Sequence, residues 1–138
     1  MRRTVFIVGM TLAIGMALSG IGHQFHGAGE PPVKVTELLK TDLAENSGKE
    51  ASIFLVEIAP GGAVGKHYHP GDAFGYVLEG SMALEVAGKA PVILKPGDSG
   101  HVPPKQVHDD KNPSQTAPVK FLVFHVAEKG QPLAVPAQ

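Results

Sequence analysis

His67 and His69 occupy alternate positions in GKHYHPGDAFGYVLEG, residues 65–80. Alternate side chains of a β-strand point to one face, so both imidazoles can aim at one point. Neutral imidazole is a ligand for Zn, Cu, Fe and Ni, and metal coordination is the chemistry this pair points to. An H-x-H pair also arises by chance at surface turns, so the pair needs support from elsewhere in the chain. Such a centre commonly takes a carboxylate a few residues on, yet positions 73 and 74 are Ala73 and Phe74. Further along, QVHDDK (106–111) carries His108.

The segments that must position these histidines read as short strands. Strand patterns run over 52–58, 63–69, 74–78, 81–86, 91–95, 98–102, 106–111 and 119–126. Between them lie PGG, HPGD, EG, AGK, KPGD, PPK and NPSQ, all rich in turn-forming residues. The 17 Gly and 12 Pro of the 138-residue chain fit many tight turns rather than long helices. Residues 33–43 (VKVTELLKTDL) are compatible with either a strand or a short helix. Eight or so strands in about 100 residues predict a single all-β domain, an antiparallel sandwich or barrel over 33–130. An extended tail, 131–138, follows and is long enough to cross onto a neighbouring copy.

The N-terminus reads differently. Arg2 and Arg3 precede an apolar run from Val5 to about Leu18, followed by small residues. This is the pattern of an export signal over 1–19, of the general secretory or the twin-arginine type, with no stable membrane span after cleavage. A periplasmic or extracellular location is the expectation. Residues 20–32 (GIGHQFHGAGEPP), which include His23 and His26, read as a flexible tether. Arg2 and Arg3 are the chain's only arginines; beyond them, ten Lys face 13 Asp and Glu, a net charge of about −3. Such a domain lacks the guanidinium fork for phosphate and is a poor nucleic-acid binder. With no Cys, thiolate metal sites and disulfides are excluded.

Two spaced motifs raise the significance of the histidines. Gly61, His67, His69 and Gly80 follow the frame G-x5-H-x-H-x3-E-x6-G, with Ala73 at the Glu position. Gly97, Pro103, His108 and Asn112 follow G-x5-P-x-G-x2-H-x3-N, with Lys105 at the second Gly. In these motifs the chain resembles the cupin superfamily, and in particular the small exported cupins called quercetin-dioxygenase-like. The resemblance implies a jelly-roll barrel (a double-stranded β-helix) with a divalent transition metal inside, Fe, Mn, Zn, Ni or Cu. It carries over His67, His69 and His108 as ligands and Asn112 as a structural motif residue.

The absent Glu leaves several centres open. The site can be three-histidine, Asp72 can substitute from the HPGD turn, a further histidine (His101 or His125) can enter, or the site can be dead. Each of the last two histidines also has a plain reading, His101 as a strand-surface residue and His125 as a core or barrel-rim one. Asp109 and Asp110 either orient the His108 ring or form a solvated acidic turn. Phe54, Val56, Val64, Ala73, Phe74, Phe121 and Val123 are candidates to line an apolar cavity. Two functions follow: a metal-dependent enzyme (dioxygenase, isomerase or decarboxylase) on a small neutral or enolisable substrate, or a non-catalytic exported protein that binds a small ligand or metal. A homodimer is a further possibility by analogy with the family.

Overall fold

The computed structural model describes residues 29–44 and 47–138. The expected export signal and residues 20–28 of the tether, with His23 and His26, lie outside the described residues. The described chain forms ten strands and no helix: β1 Val33–Asp42, β2 Lys49–Ile58, β3 His67–Tyr68, β4 Asp72–Glu79, β5 Met82–Val86, β6 Val92–Leu94, β7 Ser99–Val102, β8 His108–Lys111, β9 Val119–Glu128 and β10 Val135–Pro136.

They assemble into two five-stranded sheets, ordered β1-β2-β9-β4-β7 and β10-β3-β8-β5-β6. Every pairing is antiparallel. The ambiguous segment 33–43 is a strand because it pairs with β2 along its length, from Val33 opposite Ile58 to Asp42 opposite Glu50. A helix there would leave the edge of β2 unpaired.

Period-two alternation decides what lies inside. On β9, Val119, Phe121, Val123, His125 and Ala127 are buried while the residues between them are not. Val56, Ile58, Ala73, Val77 and Met82 meet that face to complete the core. On β4 the same rule turns Ala73 and Val77 inward and Phe74 and Tyr76 outward, where Phe74 is 42% exposed.

The motif residues have local structural reasons. Gly80 adopts φ 72°, and a side chain there would collide with the Pro118 carbonyl. Asn112 is buried, donates from Nδ2 to the carbonyls of Ile58, Ala59 and Ala117, and accepts from the Ser114 N–H. One amide thus ties the end of β2 to the loop before β9. Asn112→Ala should lower unfolding free energy by about 2–3 kcal/mol, because it leaves several carbonyls without their donor. Denaturant unfolding measures this; a loss below about 0.5 kcal/mol would contradict the role.

Candidate metal centre

The first two ligand candidates come from a strand shorter than the sequence suggests. Residues 63–69 were expected to run as one strand, but only His67 and Tyr68 do, with an isolated bridge between Ala63 and Lys111. Gly65 interrupts the run at φ 92°. Its peptide is used on both sides, with its N–H bonded to Asp109 Oδ1 at 2.9 Å and its carbonyl accepting His67 Nδ1–H at 2.8 Å. The third candidate arrives by register. His108 on β8 stands directly opposite His67 on β3.

All three rings are buried. Their ligand atoms lie within 4.8 Å of one another. Each ring is fixed in the same way. His67 Nδ1 bonds the Gly65 carbonyl, His69 Nδ1 the Leu133 carbonyl at 2.7 Å, and His108 Nδ1 the Gln106 carbonyl at 3.0 Å. A carbonyl only accepts, so each Nδ1 carries a proton, and in the neutral ring Nε2 keeps its lone pair. Three lone pairs then converge in the barrel, the arrangement in which a backbone partner sets tautomer and ring angle for a metal ligand.

The electrostatics agree. Burial pushes the His69 imidazole down to about 4, against the raising effect of the Leu133 carbonyl, and the neighbouring His108 and His67 push it down further. Burial likewise lowers His108. His69 is therefore neutral at pH 7, the form that binds metal.

His69 owes its position to two segments distant in sequence. Its own carbonyl accepts the Lys105 N–H at 2.9 Å. Lys105 holds that turn at φ 64°, and it stands where the second motif has Gly. A lysine in the left-handed region costs about 1 kcal/mol relative to glycine. Lys105→Gly should therefore raise stability by about 0.5–1 kcal/mol without changing metal affinity. Thermal unfolding of the variant checks this, and a lower Tm would contradict it.

The other candidates separate clearly. His101 is 2.8 Å from Asp72 through Nε2 and Oδ1, and both side chains are about half exposed. The Phe74 ring stacks on His101 with centroids 4.7 Å apart. Parity explains this: on regular strands Asp72, Phe74 and His101 share the outer face. Asp72 and His101 therefore do not enter the centre, and Phe74 reaches a cavity only at its rim. His125 does face inward and is buried, with its ring centroid 5.7 Å from that of His69. However, its Nε2 accepts the Gly71 N–H at 3.3 Å, which occupies the lone pair.

Two small chambers flank the histidines. One, of about 30 Å³, lies against His69, Ala73, Met82, Val102, His108 and Phe121. The other, of about 60 Å³, lies against Val56, Val64, His67, His69, Phe121 and Leu133. Val123 borders both. Of the expected lining residues, Phe54 is instead half-buried packing against the core. A wider depression of about 620 Å³ between Lys66, Glu85 and Lys89 touches His108 but neither other histidine, so it is not where the lone pairs meet.

Two contributors were underrated by the sequence. Asp110 borders both chambers and is buried. Burial, aided by the Asp109 charge, pushes its carboxyl up to about 7. The tail contributes too: β10 pairs with β3 of its own chain, and Ala137 donates to the Lys66 carbonyl. The Leu133 carbonyl has no side-chain signature that sequence reasoning could use. The period-two rule, by contrast, places Asp110 on the same face as His108.

Comparison with known proteins matches this architecture. The cupin domain family matches residues 54–125, just over half of the chain. No curated protein matches. Among solved structures, a cupin-like protein from Thermotoga maritima is 25% identical, covers 76% of this chain and 75% of its own, and superposes with TM-score 0.62. The DMSP lyase DddQ from Ruegeria pomeroyi is 19% identical, with 84% of this chain and 57% of its own covered and TM-score 0.64. The polyketide cyclase RemF from Streptomyces resistomycificus is 22% identical, covering 78% and 72%, with TM-score 0.61. The last two share the fold. With the family match spanning both histidine motifs, and those motifs facing each other across β3 and β8, the chain belongs to the cupin family.

Proposed function

We propose that this cupin holds a divalent transition metal on His67, His69 and His108 and acts as an enzyme on a small neutral or enolisable organic molecule. One observation carries the metal reading: all three Nδ1 atoms are tied to backbone carbonyls, leaving three Nε2 lone pairs to converge in a buried space. Uncharged nitrogen donors of this kind fit Fe, Mn, Zn, Ni or Cu. When bound, the metal supplies Lewis acidity toward an oxygen-bearing ligand or, if redox-active, chemistry with dioxygen.

The chain's own residues bind, orient and exclude water. Phe121, Val123 and Met82 make the chamber walls apolar, which strengthens polar interactions inside. Ala73 leaves open the space that a glutamate would fill. Chambers of about 30 and 60 Å³ restrict the interior to a few atoms of ligand beside the centre. Among the described residues no lysine lines either chamber, so any negative charge on a substrate would have to be met by the metal itself. Proteins of the same fold include a DMSP lyase and a polyketide cyclase, which supports catalysis as a use of such a barrel. The basic and apolar N-terminal run supports export as the setting.

The small volume of the chambers favours a second reading, a non-catalytic binder of metal or a compact ligand. Metal-loaded and chelator-stripped protein, assayed with enolisable diketones, catechols and flavonols, separates the two. Metal-dependent turnover, including oxygen uptake, is the expected result. Ligand-induced thermal stabilisation with no turnover of any substrate supports the binder instead.

A further inference from the structure

The cupin motif's carboxylate is missing at Ala73, yet a carboxylate is buried beside the histidines. Asp110 lies two residues after His108 on β8, so both side chains project from the same face of the strand. Its Oδ2 is 3.9 Å from Nε2 of His67 and 3.9 Å from Nε2 of His108. Both separations exceed hydrogen-bond distance, so the imidazoles do not satisfy the carboxylate directly. Two ligands of one transition-metal ion stand no further apart than the sum of two bonds of about 2.1 Å, roughly 4.2 Å. Each Oδ2–Nε2 pair is thus within the span of two ligands of one ion.

The surrounding charges make the same point. Burying a carboxylate is costly unless a cation accompanies it. The neighbouring Lys111 is engaged with Glu85 at 2.7 Å and lies 3.9 Å from Asp109, not Asp110. Asp109 spends Oδ1 on the Gly65 N–H. Among the described residues the only basic groups within ion-pair distance of Asp110 are the two imidazoles. A metal ion at their convergence would be the missing counter-charge.

We propose that Asp110 is the fourth protein ligand of the centre, supplying from β8 the carboxylate that position 73 lacks. The inference rests on the three-histidine reading and changes its chemistry. The carboxylate returns one negative charge to the centre. It also places that charge on the strand of His108 rather than at position 73. The ligand set becomes three histidines and one aspartate.

The test uses Co²⁺ as probe on the purified protein, with Kd read against a competing chelator and the visible spectrum recorded. Asp110→Asn should raise Kd by at least ~10–100-fold and alter the Co²⁺ absorption bands. Asp72→Asn, on the outer face, should change neither. The metal-free Asp110→Asn protein should unfold no earlier than metal-free wild type, since the amide matches the shape of a carboxyl that accepts no hydrogen bond from either imidazole; an earlier Tm together with unchanged Co²⁺ affinity would mark Asp110 as merely structural and overturn the proposal. Asp110→Glu, which keeps a carboxylate, should bind more tightly than Asp110→Asn. Wild-type affinity and spectrum in Asp110→Asn, with binding lost in His67→Ala, would overturn the Asp110 assignment alone. Absence of Co²⁺ binding by wild type would overturn the three-histidine reading along with it.

Discussion

His69→Ala is expected to lower metal affinity by more than the ~10–100-fold typical of losing a supporting group around a metal. The ring lies against both chambers, and its Nε2 is one of three lone pairs that converge among the described residues. Among the described residues no other histidine can replace it. The nearest alternative, His125, has its Nε2 occupied by the Gly71 N–H and its ring centroid 5.7 Å from that of His69. His125→Ala should accordingly leave affinity within a few-fold of wild type, although it removes a buried hydrogen-bond acceptor and so costs about 1–3 kcal/mol of stability. Competition titration of the two variants checks the contrast. Equal losses in both would mean that His125 is a ligand.

Deleting residues 132–138 should weaken metal binding by ~10–100-fold while the barrel remains folded. The tail acts on two ligands at once. Pro136 pairs with His67 across β10 and β3, and the Leu133 carbonyl accepts His69 Nδ1–H at 2.7 Å. Without that carbonyl the His69 ring loses the bond that keeps its Nε2 lone pair aimed inward. Leu133→Ala separates this effect from packing. It keeps the carbonyl and loses only a partly buried side chain, so it should cost about 1–2 kcal/mol of stability with affinity near wild type. If Leu133→Ala loses as much affinity as the deletion, packing rather than the carbonyl sets the ring.

The sequence read well wherever one local rule decided the outcome. Alternation on β9 predicts that His125 shares a face with Phe121 and Val123, and it does. The motif spacing brought His67, His69 and His108 together, because β3 and β8 pair with His67 opposite His108. Alternation from Ala73 also implies that Asp72 and Phe74 face out, but HPGD left the parity of that strand open. What the sequence hid was non-local or carried by the backbone. HDDK left Asp110 open between orienting the His108 ring and a solvated turn, and β8 places it beside both chambers. The role of the tail resides in a main-chain carbonyl, which any residue at position 133 would provide. The strand expected over 63–69 was cut short by Gly65, whose φ of 92° no periodicity reveals.

The central claim is that three imidazoles, locked by backbone carbonyls, hold one metal ion. Elemental analysis of the purified protein tests it most directly, before and after chelation and reloading, alongside His67→Ala, His69→Ala and His108→Ala. The account predicts about one transition-metal ion per chain, restored on reloading, and near-background metal in each variant. Metal far below one equivalent in reloaded wild type, or content unchanged by the three substitutions, would contradict it.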